Sequence, residues 1–366
     1  MIRHLHWLVG LIGWLCVLGP ATADSVTSVL IPMPAKIVLG EGTAVGIDRA
    51  RETIDPNRAD LGDEGYELVC GASGCYLTSM TEAGRFYGRQ TVKQLRTLDS
   101  IPCLTITDKP SLRMRAVMFD MARCKEKHEY YYHIIDQLAH WKINTVFLHL
   151  NDQSGCALEF DSYPVATRFA FTKAEMRELI AYAAERHVEL IPEIESWGHA
   201  GYILRAPELA SLAEDPKKPS ALCTSNPETW KVLGRLYDEV VELFPSEYLH
   251  AGCDEADFGK CPACKARIEK DGRQSIVADH LSRVNAMVRA RGKTPMIWND
   301  VLRLNKEAAA QLPKDTILCH WDYRAAILPD GVKVWRDQGF EVLVCPAAVW
   351  GGRIVLPNLD TFENVD

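Results

Sequence analysis

The sequence predicts an α/β protein, a (β/α)8 barrel of the TIM type that lacks its last strand as far as the sequence runs, preceded by a small α+β module. Three observations carry that prediction. From about Arg113, seven short apolar runs alternate with longer amphipathic stretches, the signature of parallel strands joined by crossover helices. Before that point short runs are separated by Gly and Asp turns, a different texture. The length, 366 residues, is too great for one small core and suits one large barrel plus an extra module.

In chain order, residues 1–23 read as a secretory signal. Arg3 and His4 precede a short apolar stretch from Leu5 to Leu18, and the small residues Ala21, Thr22 and Ala23 offer a cleavage site ahead of Asp24. The stretch is too short and too Gly-interrupted for a good membrane span. The mature chain is therefore expected to be exported, periplasmic or extracellular, with no membrane span left after signal removal. Residues 24–110 form the module. Ala35–Leu39, Tyr66–Cys70 and Cys75–Ser79 read as strands, the last two as a hairpin around Gly71–Gly74. Glu82–Leu95 reads as a helix with an apolar stripe of Ala83, Phe86, Tyr87, Val92 and Leu95.

Residues 111–366 are expected to be the barrel. Its strands are predicted at Met114–Asp120, Asn144–Leu150, Val188–Ile194, Glu247–Cys253, Pro295–Asn299, Thr316–Trp321 and Glu341–Cys345. Helices are predicted between them, at Tyr130–Trp141, Lys173–His187, Pro227–Phe244, Ser275–Arg291 and Gly331–Gln338. The sequence stops at Asp366, where an eighth strand with its helices is expected, which reads either as a truncated frame or as an unusual end.

A net charge of -8 without a long basic run argues against nucleic-acid or anionic-membrane partners. Of twelve cysteines, one lies inside the signal, so the remaining odd number leaves at least one thiol free or paired between chains. Cys261 and Cys264 form the one close pair. The spacing fits a local disulfide clamp, a redox pair or half of a metal site, and no second such pair completes four ligands.

The run from Tyr248 to Glu255 enters as an apolar strand and ends in two adjacent carboxylates, Asp254 and Glu255. A bare pair of acids is commonly a helix N-terminus favoured by the macrodipole. Here the pair sits at the C-terminal end of a predicted barrel strand, where such barrels keep their chemistry. Other strand ends carry Asp120 and Arg123; His149 and Asp152; Glu193, Glu195, Trp197 and His199; Trp298, Asn299 and Asp300; His320, Trp321, Asp322 and Tyr323; and Trp350. Each has a plainer reading alone, a structural histidine or a core tryptophan. Together they suit a sugar, whose ring faces stack on aromatics and whose hydroxyls bond to acids and Arg. No phosphate-binding glycine turn, GxSxG elbow or HExxH helix is present.

Several of these segments, RAVMFDMAR (Arg115–Arg123), HLND (His149–Asp152), PEIESWGH (Pro192–His199) and HAGCDE (His250–Glu255), resemble in order and spacing the β-N-acetylhexosaminidases of glycoside hydrolase family 20. EAGRFYGRQT (Glu82–Thr91) resembles that family's helix ahead of the barrel. The resemblance implies an exo-acting, retaining enzyme on glycans ending in N-acetylhexosamine, with no cofactor and no metal. In this family the substrate's acetamido oxygen attacks the anomeric carbon and forms an oxazolinium ion. Glu255 is then implied as general acid and Asp254 as the partner of the acetamido N–H. Those roles want Glu255 neutral and Asp254 charged at the start, with burial raising the unpartnered acid.

The resemblance further implies Arg123 as the grip on the ring's 3- and 4-hydroxyls, Asp152 and His199 as a pair tuning the acid, and Trp298, Trp321 and Trp350 as pocket walls. Tyr323 stands in for the family's acetamido-binding tyrosine, which the seventh strand lacks. Cys253 departs from the Gly common just before the acid pair, and the family's eighth-strand tryptophan lies beyond the sequence. A non-catalytic carbohydrate-binding relative is the alternative that these departures leave open.

Overall fold

The structure, a computed structural model, describes residues 23–323 and 329–347. Most of the expected signal, and Trp350, lie outside the described residues. Contacts divide the chain into two units, Met1–Arg113 with His140–Lys142, and Met114–Ala139 with Ile143–Asp366.

The first unit opens with one helical turn, α1 (Ala23–Thr27), whose Val26, followed by Leu30, is buried in the unit's core. Its strands are β1 (Lys36–Thr43), β2 (Arg51–Ile54), β3 (Tyr66–Gly71), β4 (Gly74–Ser79) and, after the helix α2 (Glu82–Leu95), β5 (Pro102–Asp108). They form one sheet in the order β1-β5-β3-β4-β2. Thr81 starts α2 by accepting the Gly84 N–H at 3.1 Å. The helix then buries Tyr87 and Leu95. Gly88 is there for closeness: a Cβ on it would fall 2.3 Å from Leu77 Cδ1 of β4. Cys70 and Cys75 face each other in the β3–β4 register and are disulfide-bonded, a pairing the sequence reading did not make. It also named neither β2, a charged and mostly exposed edge strand, nor β5, which opens on a proline.

The second unit runs β6 (Ala116–Asp120), α3 (His128–His140), β7 (Thr145–His149), the two-residue strands β8 (Asn151–Asp152) and β9 (Gly155–Cys156), α4 (Lys173–Ala184) and β10 (Glu189–Glu193). There follow α5 (Gly201–Leu204), α6 (Pro227–Leu243), β11 (Tyr248–His250), α7 (Pro262–Asp271), α8 (Arg273–Arg289), β12 (Thr294–Trp298), α9 (Asp300–Leu304), β13 (Ile317–Trp321), α10 (Pro329–Arg336) and β14 (Glu341–Cys345). All seven strands expected from the sequence are present, in one parallel sheet ordered β6-β7-β10-β11-β12-β13-β14.

Helices start where capping chemistry permits. Thr172 and Glu175 form a capping box at α4, and Asn226 with Pro227 opens α6. Along α6, Val232, Leu233, Leu236, Tyr237 and Val240 fall at helical spacing and are buried. Phe147, Ile191, Tyr248, Met296, Trp298, Ile317 and Cys319 pack into one core cluster joined by Met114 and Leu343. Side chains from nearly every strand thus meet on one concave face, so the sheet curls as a partial barrel. Because all strands run the same way, their C-terminal ends share one lip. No helix among the described residues is long and apolar enough to cross a membrane.

Candidate active site

The lip is built over a buried layer of alternating charge. Glu193 ends β10 fully buried; His149 Nδ1 approaches its Oε2 at 2.6 Å, while the Trp298 indole N–H donates to Oε1 at 2.6 Å. His250 Nδ1 lies 3.2 Å from the same Oε1. The other nitrogen of His149 reaches Asp152 Oδ2 at 3.1 Å. Asp152 Oδ2 also lies 3.4 Å from the Arg123 guanidinium and 3.3 Å from His199 Nδ1. Arg123 is oriented from behind by Asp120, at 2.6 Å.

His199 connects this layer to the acid pair. Its Nε2 lies 3.2 Å from Glu255 Oε2 and 3.5 Å from Asp254 Oδ2. The backbone carrying the pair is folded tightly: Gly252, Cys253 and Glu255 have φ of 62°, 75° and 44°, and His199 across from them has φ 50°. Left-handed backbone costs a non-glycine residue on the order of 1 kcal/mol or more and gathers at functional sites. At 252 only glycine fits, because a Cβ there would fall 2.1 Å from Glu195 Oε2. Position 253 has the conformation glycine favours, a cost that Cys253 carries.

Buried Glu195 holds this turn, accepting the Cys253 N–H on Oε2 at 3.2 Å. Glu195 is itself fixed through its backbone, with its N–H donated to Asn151 Oδ1 at 2.8 Å and its carbonyl accepting the Tyr202 hydroxyl at 2.8 Å. Asp300 accepts the Glu255 N–H at 3.0 Å. Glu195 and Asp254 are buried carboxyls hydrogen-bonded to each other, a contact that requires a proton on one of them.

Charge follows from these contacts. Burial works against a charged His149, but Glu193 and Asp152 outweigh it and push the imidazole up to about 10. His199 is pushed up to about 9, chiefly by its hydrogen bond to Asp152 and against burial. Burial would raise Asp152, yet His149, His199 and Arg123 hold it well below the usual carboxylate range. Glu193 is held low in the same way, against burial, by His149 and His250. Glu195 behaves oppositely: burial, then Asp254 and Glu193, push it far up, so it keeps its proton. Burial also raises Asp254, with His199 and Glu195 opposing, and burial beside Asp254 raises Asp300 to about 6.

The structure brings Arg123, Asp152, His199, Asp254 and Glu255 into one contact network. Trp298, only 8% exposed, joins it through Glu193 from within the core. Trp321 and Tyr323 pair with each other, ring centroids 5.1 Å apart. Burial, then the charge of Asp254, push the Tyr323 hydroxyl up to about 12, so it stays a neutral donor. Trp350 lies outside the described residues.

Two sequence readings change. Trp197, read at the mouth, is fully buried, stacked between Phe258 and His280 at 4.8 and 4.1 Å, so it braces the loop after the acids. The acid expected to be raised by burial was Glu255, whereas its side chain is 59% exposed and burial falls on Asp254 and Glu195. Glu193, Glu195, His149 and Asp300 stood in the strand-end inventory without roles, and His250 was absent from it. Their only sequence signal is a charged residue inside or just past an apolar run.

Comparisons with known proteins bear on this geometry. The glycosyl hydrolase family 20 catalytic domain matches residues 113–350, and domain 2 of the same family matches residues 33–109. A beta-hexosaminidase of Akkermansia muciniphila is 30% identical over 334 residues, covering 81% of this chain and 66% of that protein. A beta-hexosaminidase of Vibrio furnissii is 29% identical, covering 78% of this chain and 52% of that one. The chain thus spans just under two-thirds and about half of these relatives. A crystal structure of a beta-N-acetylhexosaminidase superposes with a TM-score of 0.75 at 26% identity, covering 87% of this chain and 73% of the other.

Proposed function

The chain belongs to glycosyl hydrolase family 20, and from that premise we propose that it is an exo-acting, retaining β-N-acetylhexosaminidase working by substrate-assisted catalysis. It removes terminal N-acetylhexosamine from glycans after export directed by residues 1–23.

One observation carries the reading. Two adjacent acids just past the end of β11 share His199, one solvent-facing and one largely buried against the protonated Glu195. Glu255, with room to reach solvent and a leaving group, donates a proton to the glycosidic oxygen as the bond to the anomeric carbon breaks. The substrate's acetamido oxygen attacks that carbon from the other face, closing an oxazolinium ring. Asp254 accepts the acetamido N–H and stabilises the positive charge growing there. Its ionised form is the one this step needs, and a cationic substrate group offsets the burial that otherwise raises it.

Glu255, now anionic, takes a proton from water, which opens the ring with net retention. Protonated His199, braced by Asp152, stabilises that anion. Arg123 is placed to hold ring hydroxyls, and the neutral Tyr323 hydroxyl to donate to the acetamido oxygen.

Nitrophenol release from 4-nitrophenyl N-acetyl-β-glucosaminide and -galactosaminide, set against the plain β-glucoside, tests the mechanism. Release confined to the acetamido sugars is expected. Equal release from the 2-hydroxy sugar would overturn it. Binding of N-acetylglucosamine without any release would replace it with a carbohydrate-binding role.

A further inference from the structure

Four side chains on the far side of the acid-bearing loop make a second cluster, and sugar hydrolysis does not use them. Cys223, Cys261, Cys264 and Glu214 each offer a ligand atom, all within 4.8 Å of one another. Sequence reading saw only the Cys261/Cys264 half; the other half arrives from 38 to 50 residues upstream in the chain.

The spacing is that of ligands about a common centre. Sulfurs bound to one tetrahedral zinc at about 2.3 Å stand about 3.8 Å apart, and a sulfur and a carboxylate oxygen about 3.6 Å. Here Cys223 Sγ lies 3.4 Å from Cys261 Sγ and 3.9 Å from Cys264 Sγ, and Cys264 Sγ lies 3.3 Å from Glu214 Oε2. A disulfide needs about 2.04 Å, and any one disulfide among three thiols would strand the third.

Glu214 is built for the fourth position. Its Oε1 is occupied by the backbone N–H groups of Gly259, Lys260 and Cys261, at 2.8, 2.7 and 3.1 Å. That fixes the carboxylate and leaves Oε2 facing the thiols, the kind of outer bonding that orients a metal ligand. The Cys261 sulfur accepts the Cys264 N–H at 3.2 Å, at the start of α7, a turn that sets two thiols on one side.

We propose that Cys223, Cys261, Cys264 and Glu214 bind one zinc ion in a closed structural site. Thiolates favour zinc over the hard cations, and four protein ligands leave no open position for catalysis. The site ties residues 259–264, which continue directly from Glu255, to the segment holding Glu214 and Cys223, and so stiffens the loop that presents the general acid.

Full-length protein, expressed with zinc in the medium and purified without chelator, tests this by elemental analysis. About one zinc per chain is expected. Cobalt in its place should give thiolate charge-transfer absorption in the near ultraviolet. Cys264→Ser should lose the metal, while Cys103→Ser, a thiol outside the cluster, should keep it. Chelation should speed hydrogen exchange at residues 259–261. If Cys264→Ser does not fold, the metal content and cobalt spectrum of the unaltered chain still decide. Metal far below one equivalent, or a peptide map joining Cys223 to Cys261 or Cys261 to Cys264 by a disulfide, would overturn the proposal.

Discussion

The layer beneath the lip and the turn above it answer opposite demands within a few residues of each other. Below, Glu193, His149, Asp152 and His199 alternate in sign, each charge facing its opposite at hydrogen-bond or ion-pair distance. Above, Cys253 and Glu255 sit in left-handed backbone, and the buried acids Glu195, Asp254 and Asp300 crowd like against like. The contrast teaches where this fold keeps order and where it keeps reactivity. A saturated network has nothing left to offer a substrate; it holds positions. A strained turn crowded with acids is costly alone, and its carboxyls are the groups that gain when a ligand supplies a donor or a positive charge.

Glu255→Gln should break the comparison most sharply. The amide cannot donate the proton, so kcat should fall by about 10²- to 10⁴-fold, while affinity for an N-acetylglucosamine ligand changes little. Because the side chain is largely exposed, the midpoint of urea unfolding should move by no more than about 0.5 kcal/mol equivalent. Activity within tenfold of the unaltered chain would move the acid's role elsewhere.

Glu193→Gln attacks the lower layer and should do the reverse. It leaves the buried charge of His149 balanced by Asp152 alone, for a loss of up to about 3–5 kcal/mol in folding stability, read in urea. A variant as stable as the parent would mean that the layer is not charged as described. Asp254→Asn separates the two regions again. Burial already disfavours the charge of Asp254 in the folded state, so the amide should hold or raise the thermal midpoint while kcat drops about 10²- to 10³-fold. A large fall in stability would place Asp254 in the saturated network.

The same division marks what the sequence made legible. The five inner barrel strands are largely buried and read as continuous apolar runs; β6 and β14 at the sheet's edges are half exposed but keep short apolar runs, so all seven were visible. An exposed edge strand such as Arg51–Ile54 has no apolar pattern to betray it. The acid pair and Arg123, Asp152 and His199 were legible because they follow those strands directly and match a known family in order. Glu193 and His250 lie at the very ends of strands, where only three-dimensional packing tells whether a side chain meets its opposite charge. Trp197 went astray for a related reason: two residues past a strand end, the chain has already turned inward beneath Phe258. Which of the two acids is buried was not legible, because adjacency in sequence cannot say which one the backbone turns inward. The partner of Cys261 and Cys264 was hidden by chain distance.

The gentlest probe is pH; the raised Glu195 loses stability with the same sign as the histidines, so one substitution is needed to separate the regions. His149 and His199 bind their protons more tightly folded than unfolded, at about 10 and about 9 against an ordinary value of about 6.5. Their stabilisation is therefore complete below about pH 6.5 and drains away as pH rises through those folded values. Asp152 and Glu193 are held low, so their contribution persists down to the ordinary carboxylate range and cannot produce the alkaline loss. Urea unfolding at about pH 6.5, 8 and 9.5 should show stability falling steadily across that window. In His199→Gln the earlier part of the fall should flatten, since of the two histidines only His149 still titrates, and the later part should remain. A slope unchanged by the substitution would mean that His199 is not held protonated by Asp152. The lower layer would then end at His149, and Glu255 would lack the cation that steadies its anion.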